Sequence, residues 1–202
     1  MDDPRAIKRA LRVEVRARIL AMPSEVRGPE ERALIDRLPD LPGFREAGAV
    51  LLYASAFPEE FDTGPMLRLA LDLGKRLICP RVDRAERRLA LSAIADLPGD
   101  FSRGTLGIPE PRQGLAEVDP REVDWVLVPG LGYDRRCYRI GRGAGHYDRL
   151  LTRLRPDAPR WSLCLSSQWV DALPVEPHDQ PLDGVADPER TVTRSRPAPS
   201  GV

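Results

Sequence analysis

The chain has 202 residues, which is enough for one domain with a substantial hydrophobic core. Its 31 basic and 31 acidic residues cancel, which argues against a dedicated nucleic-acid binder, because such proteins normally carry a basic excess. No apolar run reaches the length of about 18 residues that a membrane span needs, and residues 1–20 are too charged for a secretory signal. We therefore expect a cytoplasmic protein that binds neither a membrane nor nucleic acid.

Residues 4–21 have the periodicity of an amphipathic helix. Its apolar face repeats every four positions and consists of Ile7, Leu11, Val15 and Ile19. Lys8 and Arg12 lie one turn apart on the neighbouring face and point the same way, so they could contact an anion or simply belong to a solvated surface. For Arg16, one turn further on, we expect a solvated position. A second helix is expected over about residues 24–38.

The remainder of the chain alternates strands with helices. Apolar runs typical of buried strands occur at residues 49–53, 77–79, 125–128 and 161–165, with an edge candidate at 89–91. Helical segments are expected at about 64–73 and 146–154. This alternation predicts an α/β fold, a three-layer α/β/α sandwich with a mostly parallel central sheet and right-handed crossovers.

Ligands in such folds bind beyond the carboxyl ends of the strands. Three long loops follow strands here, at residues 54–63, 129–145 and 166–183, and we expect all three to meet at one edge of the sheet. Residues 1–187 are predicted to form a single domain. Residues 188–202 are rich in Pro, Ser and Arg and are predicted to be a disordered tail.

The most informative segment is a glycine loop between a strand and a helix. Gly141, Gly143 and Gly145 alternate along it, and they lack the Cβ atoms that would keep backbone away from a polyanion. A strand, glycine loop and helix in succession present backbone N–H groups to a phosphate. Alone, such a triplet also occurs in ordinary turns between a strand and a helix, and the spacing matches neither the Walker nor the dinucleotide signature.

Charged residues in the same segment favour the phosphate interpretation. Arg139 and Arg142 can pair bidentately with phosphate oxygens. Asp148 is about one helical turn further on, close enough to hold a metal ion that bridges those phosphates. Because a structural turn has no use for this density of charge, we predict a site for a nucleoside triphosphate.

Seven short motifs along the chain carry a family resemblance. They are Lys8-x-x-x-Arg12, Glu60-Phe-Asp-Thr63, Gly74-Lys-Arg76, Gly107-Ile-Pro-Glu-Pro111, Val128-Pro-Gly-Leu-Gly-Tyr-Asp134, Arg139-x-Gly-Arg-Gly-x-Gly-x-Tyr-Asp148 and Pro177-His-Asp179-x-x-Leu-Asp183. In this order and spacing they resemble the 5-formyltetrahydrofolate cyclo-ligases, also called 5,10-methenyltetrahydrofolate synthetases, over about residues 4–187. The glycine–arginine block and the final His–Asp segment are the specific parts.

The resemblance implies a ligase that forms a carbon–nitrogen bond with ATP as co-substrate and Mg²⁺ as cofactor. 5-Formyltetrahydrofolate and ATP would give 5,10-methenyltetrahydrofolate, ADP and phosphate. In the family, the formyl oxygen attacks the γ-phosphorus, and the second folate nitrogen then displaces phosphate from the activated carbon. Because the nucleophile belongs to the substrate, the protein has only to position the reactants and neutralise charge. We expect a monomer whose folate carries one or several glutamates.

The resemblance also implies roles for individual residues. Those implied for ATP are Lys8, Arg12, Arg139, Gly141, Arg142, Gly143, Gly145 and Tyr147. Those implied for the folate are Phe57, Glu60, Arg142, His146 and Tyr147, with Glu60 accepting from adjacent N–H donors of the pterin ring. Lys8 and Arg142 would act on the transferred phosphoryl group, and Asp148 and Asp179 would hold Mg²⁺. Glu59, beside Glu60, is expected to be solvated and to contribute little.

Two positions depart from the family pattern. His146 stands where most members have the first tyrosine of a Tyr-Tyr-Asp triplet, and it introduces a ring that can titrate near neutral pH. Cys137 stands at a position that is usually glycine, which suggests a slightly different turn. Neither departure removes a charge that the phosphates need.

Two alternative functions stay open from the sequence. A sugar-phosphate isomerase or CoA-transferase-like enzyme would use the same scaffold, but it would leave Lys8 and Arg12 without an obvious purpose. A non-catalytic folate-binding relative would be expected to lose the phosphate loop, which is intact here.

Overall fold

The computed structural model of the chain describes residues 3–97, 99–104, 107 and 109–194. Within them the α-helices are α1 (Pro4–Leu20), α2 (Ser24–Arg37), α3 (Gly64–Asp72) and α4 (His146–Leu151). The strands are β1 (Ala49–Leu51), β2 (Arg76–Asp83), β3 (Arg88–Ile94), β4 (Phe101–Arg103), β5 (Pro109–Pro111), β6 (Trp125–Leu127), β7 (Gly132–Tyr133), β8 (Arg139–Ile140), β9 (Arg160–Leu163), β10 (Gly184–Ala186) and β11 (Thr191–Thr193). None of the described helices is long and apolar enough to span a bilayer.

Seven strands form the central sheet, in the order β11-β10-β9-β6-β1-β2-β3. The inner pairings, from β10 through β9, β6 and β1 to β2, are all parallel. Only the two outermost strands, β3 and β11, pair antiparallel with their neighbours. The sheet is therefore mostly parallel, as the alternation of strands and helices predicted.

Helices cover both faces of this sheet. Neighbouring residues of a strand face opposite sides: Val50 of β1 packs in the core shared with α1, α2 and α3, whereas Ala49 and Leu51 pack in the core shared with α4. Because both faces are covered, the central strands are apolar throughout, which explains their continuous apolar runs in the sequence. The predicted three-layer α/β/α sandwich is confirmed.

Helix α1 is fixed at both its start and its apolar face. Pro4 occupies its first position, and the Asp3 side chain accepts a backbone N–H of the first turn. Val15 and Ile19 are fully buried in the core on the sheet. With this face docked, the neighbouring face that carries Lys8 lies along the carboxyl edge of the parallel strands. Apolar packing thus docks α1 on the sheet and leaves its charged face at that edge.

The three loops that follow β1, β6 and β9 meet at that edge, as expected. All three contribute residues to one cavity. The loop after β6 contains the β7–β8 hairpin. Tyr133 of this hairpin forms a parallel bridge to Trp169 in the loop after β9, which ties the two loops together.

The prediction of a disordered tail is wrong for residues 188–194. Asp187 is buried and accepts hydrogen bonds from Trp169 Nε1 and from the backbone N–H of Arg190, which closes a turn. The chain then returns as β11, with Val192 opposite Val185 of β10. A local composition rich in Pro and Arg does not reveal a strand whose pairing partner is already in the sheet. Residues 195–202 lie outside the described part of the chain.

Truncation tests the contribution of β11 to stability. A chain ended after Asp187 loses the backbone hydrogen bonds between β10 and β11, each worth roughly 0.5–1.5 kcal/mol. We expect its free energy of unfolding to fall by about 2–3 kcal/mol, and its melting temperature to fall by about 4–12 °C. The control is a chain ended after Arg194, which keeps β11 and should have the same melting temperature as the full-length chain. Equal melting temperatures for the two truncated chains, measured by circular dichroism, would contradict this account.

Candidate active site

A cavity of about 650 Å³ opens at the carboxyl edge of the sheet. Its walls come from α1, from the loop after β1, from the glycine loop and from the loop after β9. The residues assigned to ATP, folate or Mg²⁺ from the sequence all line it. They are Lys8, Arg12, Phe57, Glu60, Arg139, Gly141, Arg142, Gly143, Gly145, His146, Tyr147, Asp148 and Asp179. The residues that the sequence assigned to one site thus lie around one cavity, and their roles stay predictions.

Lys8 is almost fully buried in the cavity wall and is held by two carboxylates. Its Nζ lies 2.6 Å from Oδ2 of Asp179 and 2.9 Å from Oε2 of Glu176. Burial by itself would lower the pKa of Lys8, but the hydrogen bonds to Asp179 and Glu176 outweigh it and raise the pKa above its ordinary value. The same hydrogen bond from Lys8 lowers the pKa of Glu176. Lys8 and Glu176 are therefore both charged at neutral pH.

Arg12 joins α1 to the glycine loop. Its Nε donates to the backbone carbonyl of Gly141 at 2.7 Å. Gly143 lies beside the same guanidinium, and a Cβ atom at Gly143 would be 3.5 Å from Cζ of Arg12. The two cations that the sequence placed one turn apart on α1 thus reach the same cavity as the glycines.

Two of the three glycines need their conformational freedom. Gly143 has φ of 103° and Gly145 has φ of 64°, both in the left-handed region. Gly141 has no such φ, and its role is close approach, since a Cβ there would lie 3.2 Å from Nη1 of Arg139. The loop therefore keeps bare backbone along the cavity wall, as predicted.

Arg139 and Asp148 pair with each other. Nη2 of Arg139 lies 3.1 Å from Oδ1 of Asp148, and the backbone N–H of Gln180 donates to the same oxygen. Arg139 is buried, and its Nε has no hydrogen-bond partner. The hydroxyl of Tyr147 is likewise buried and without a partner, and burial raises the pKa of Tyr147. Both residues line the cavity.

Arg142 contacts three residues of the loop after β1. Its guanidinium lies 3.4 Å above the ring of Phe57. Nη1 is 2.9 Å from Oε1 of Glu59, and Nη2 is 3.3 Å from Oε1 of Glu60. The other oxygen of Glu60 accepts from the backbone N–H groups of Ala56 and Phe57.

The expectation that Glu59 is solvated is wrong. Its side chain has no exposed surface, and a second guanidinium, that of Arg16, has its Nε 3.3 Å from Oε1 of Glu59. A carboxylate in this position needs cations around it, because a buried unpaired charge is strongly unfavourable. The solvated position expected for Arg16 is only half correct, since the side chain is 55% exposed but its Nε pairs with Glu59.

The two departures from the family pattern are small in structural terms. His146 is half-buried, and burial together with the charge of Arg149 lowers its pKa, so the ring is neutral at physiological pH. Cys137 has φ of 62°, a left-handed conformation that glycine adopts readily. Cys137 therefore occupies a turn position whose backbone conformation favours glycine.

Asp148 and Asp179 suit magnesium better than a metal ion whose ligands must all come from the protein. Within the described ranges, no group of three or more His, Cys, Asp or Glu side chains could hold a metal ion. Magnesium usually keeps several waters and binds through one or two carboxylates together with substrate phosphates. Asp148 and Asp179, which line one cavity, fit that requirement.

Several cavity residues were not predicted from the sequence. Arg5 and Arg9 of α1 line the cavity, and Glu176 contacts Lys8 there. The two arginines lie three residues before Lys8 and Arg12, so extending the helical spacing by one step would have found them. No comparable signal marks Glu176, because its contact with Lys8 joins opposite ends of the chain.

The Lys8 ion pairs give a pH-dependent contribution to stability. The pKa of Glu176 is depressed below its ordinary 4.5, so its contribution is present above that value and is lost as the pH falls through the depressed pKa. We expect Lys8→Met to be less stable than the parent at neutral pH, and the difference in free energy of unfolding to shrink in acid. Lys75→Met is the control, because Lys75 Nζ donates only to backbone carbonyls. An acid dependence shared by both variants in denaturant titrations would contradict the assignment.

The chain is similar to known proteins along almost its whole length. Residues 4–188 match the profile of the 5-formyltetrahydrofolate cyclo-ligase family. A protein of Mycolicibacterium smegmatis named 5-formyltetrahydrofolate cyclo-ligase is 31% identical over 179 residues, which cover 87% of this chain and 91% of that protein.

Solved structures agree with this match. The 5,10-methenyltetrahydrofolate synthetase of Aquifex aeolicus superimposes with a TM-score of 0.80 at 30% identity, covering 96% of this chain and 98% of that one. The corresponding synthetase of Mycoplasma pneumoniae has a TM-score of 0.71 at 21% identity, covers 90% of this chain and 99% of its own, and supports the fold alone. The chain belongs to the 5-formyltetrahydrofolate cyclo-ligase family.

Proposed function

We propose that the chain catalyses the ATP-dependent cyclisation of 5-formyltetrahydrofolate to 5,10-methenyltetrahydrofolate, with release of ADP and phosphate. One observation carries this proposal beyond family membership. The cations of α1, the bare glycine loop and the Phe57–Glu60 loop all line the same cavity. A phosphate donor and a flat, hydrogen-bonding acceptor can therefore be held side by side, which is what a direct phosphoryl transfer between them requires.

The triphosphate lies against α1 and the glycine loop in this proposal. Lys8, Arg12 and Arg139 supply charge, and the backbone at Gly143 approaches the phosphate oxygens. Since Lys8 is paired with Asp179 and Glu176 in the structure, phosphate oxygens exchange places with those carboxylates when ATP binds. Asp148 and Asp179, together with phosphate oxygens, would hold Mg²⁺, which would neutralise part of the phosphate charge.

The folate occupies the other side of the cavity. Glu60 accepts from N–H donors of the pterin, and Phe57, Tyr147 and the neutral ring of His146 flank the ring system. The formyl oxygen attacks the γ-phosphorus and ADP leaves. The second folate nitrogen then attacks the formyl carbon and loses its proton, and the phosphate departs. Arg142, beside Glu60, stabilises the charge on the phosphoryl group during transfer.

Two observations disfavour the alternative functions. The match of residues 4–188 to the cyclo-ligase family argues against a sugar-phosphate isomerase or a CoA-transferase-like enzyme. A non-catalytic relative would not need the glycine loop intact, yet Gly143 and Gly145 keep their left-handed conformations at the cavity. We further propose that the enzyme acts as a cytoplasmic monomer, on folates with one or several glutamates.

The reaction is tested by following the near-ultraviolet absorbance of the methenyl product. Purified chain, 5-formyltetrahydrofolate, ATP and Mg²⁺ should give this absorbance together with one ADP per product formed. Omission of ATP should abolish the signal, and omission of Mg²⁺ should reduce it strongly. Folate binding without product formation in the complete mixture would favour the non-catalytic alternative and overturn the proposal.

Gly143→Ala tests the phosphate-binding role of the glycine loop. The added methyl group lies where backbone must approach phosphate oxygens, so we expect the KM for ATP to rise by about tenfold or more, a loss of roughly 1.4 kcal/mol. The left-handed φ of 103° should also cost about 1–2 kcal/mol of stability.

Gly114→Ala is the matched control, because Gly114 has a similar φ of 93° and nothing within 4 Å of a Cβ atom. Both variants should lose similar stability, but only Gly143→Ala should change the KM for ATP. If the two variants show the same ATP dependence, the glycine loop does not bind the triphosphate.

Glu60→Gln tests the folate side of the cavity. It removes a charged acceptor, which is worth about 1.5–3 kcal/mol, so the KM for 5-formyltetrahydrofolate should rise roughly 10- to 100-fold with little change for ATP. Asp62→Asn, an exposed carboxylate in the same loop, is the control and should behave as the parent. A loss confined to ATP in Glu60→Gln would place the folate elsewhere.

A further inference from the structure

We propose that Glu59 is the positioning residue for Arg142. It holds the guanidinium over the ring of Phe57 when Glu60 gives up its contact with Arg142 and binds the substrate instead. This inference rests on the proposed role of Arg142 in phosphoryl transfer. It assigns different tasks to two neighbouring carboxylates that contact the same cation.

The two carboxylates differ in what they face. Glu60 lines the cavity, whereas Glu59 has no exposed side-chain surface and lies behind Arg142. Nη1 of Arg142 is 2.9 Å from Glu59, and Nη2 is 3.3 Å from Glu60. The contact with Glu59 is thus the shorter of the two and the one that a ligand in the cavity does not reach.

Glu60 is the partner that can be exchanged. One of its oxygens is fixed by the backbone N–H groups of Ala56 and Phe57, so its carboxylate stays in place. Only the other oxygen contacts Arg142, and this is the oxygen that an N–H donor of the substrate would need. When the substrate takes it, Arg142 loses one of its two carboxylate partners, and Glu59 alone keeps its charge balanced.

The carboxylate oxygens of Glu59 can still accept hydrogen bonds from Arg142. Both of its oxygens are buried, and neither accepts a well-aligned hydrogen bond, although two guanidiniums lie within ion-pair distance. A buried carboxylate in this state gains from any rotation of Arg142 that improves the contact. Release of Nη2 from Glu60 permits such a rotation. The second cation, Arg16, is more exposed than Arg142, and its Nε lies 3.3 Å from Oε1 of the same carboxylate.

The proposal is tested with a double-mutant cycle built from Glu59→Gln, Arg142→Ala and the double variant. Misplacing a catalytic group lowers the rate of the chemical step, so Glu59→Gln should reduce kcat by about tenfold or more and change the KM for ATP by less than about twofold. In the Arg142→Ala background the same change should have no further effect on kcat. Glu59→Asp keeps the charge and should recover part of the lost kcat.

Arg16→Ala is the control, because it removes the other partner of Glu59 and leaves the contact with Arg142. It should reduce kcat by less than about twofold. Effects of Glu59→Gln and Arg142→Ala that simply add, or an unchanged kcat in Glu59→Gln, would overturn the proposal. So would a loss in Arg16→Ala as large as that in Glu59→Gln, since it would show that the carboxylate serves the fold.

A crystal structure of unliganded Glu59→Gln separates this inference from the proposed function. The guanidinium of Arg142 should move away from its position 3.4 Å above the Phe57 ring. If the parent forms no methenyl product, the reaction is wrong, but a displaced Arg142 would still support the positioning role of Glu59. An unmoved Arg142 would overturn that role whatever the parent catalyses.

Discussion

A cavity that is to receive a triphosphate must gather cations, and gathered cations repel one another in the absence of the ligand. Here three cations of the cavity are each paired with a carboxylate from another part of the chain: Lys8 with Asp179, Arg139 with Asp148 and Arg142 with Glu59. These pairs allow the unliganded site to fold with its charges in place. Ligand binding then replaces some of the carboxylates, so the site does not have to assemble around its substrate.

The parallel sheet is what brings the partners together. Strands β1, β6 and β9 run in the same direction, so the loops after them meet at one edge, and α1 docks along that edge through Val15 and Ile19. Residues separated by most of the chain thereby come within hydrogen-bond distance, as for Lys8 and Asp179. The packing of the apolar core positions α1 and the loops, and the charged side chains then pair across them.

Periodicity was sufficient to predict the parts of the fold that depend on local burial. The apolar face of α1 and the apolar run at β6 each have one favourable placement, and both lie where the sequence predicted. Strand β11 could not be predicted in this way, because it exists only through pairing with β10 and a turn at Asp187. The same distinction between local patterns and distant contacts applies to the candidate site. The glycines and Arg142 were recognisable from their spacing, whereas the burial of Glu59 depends on two arginines that are distant in the sequence.

We propose that the triphosphate exchanges with the internal carboxylates of the cavity. A crystal structure of the chain with a non-hydrolysable ATP analogue and Mg²⁺ would show this exchange. We predict that the phosphates contact Lys8, Arg12 and the backbone at Gly143, with Lys8 Nζ no longer within ion-pair distance of both Glu176 and Asp179. A nucleotide bound elsewhere, or a Lys8 that keeps both of its carboxylate partners beside bound phosphates, would contradict the claim.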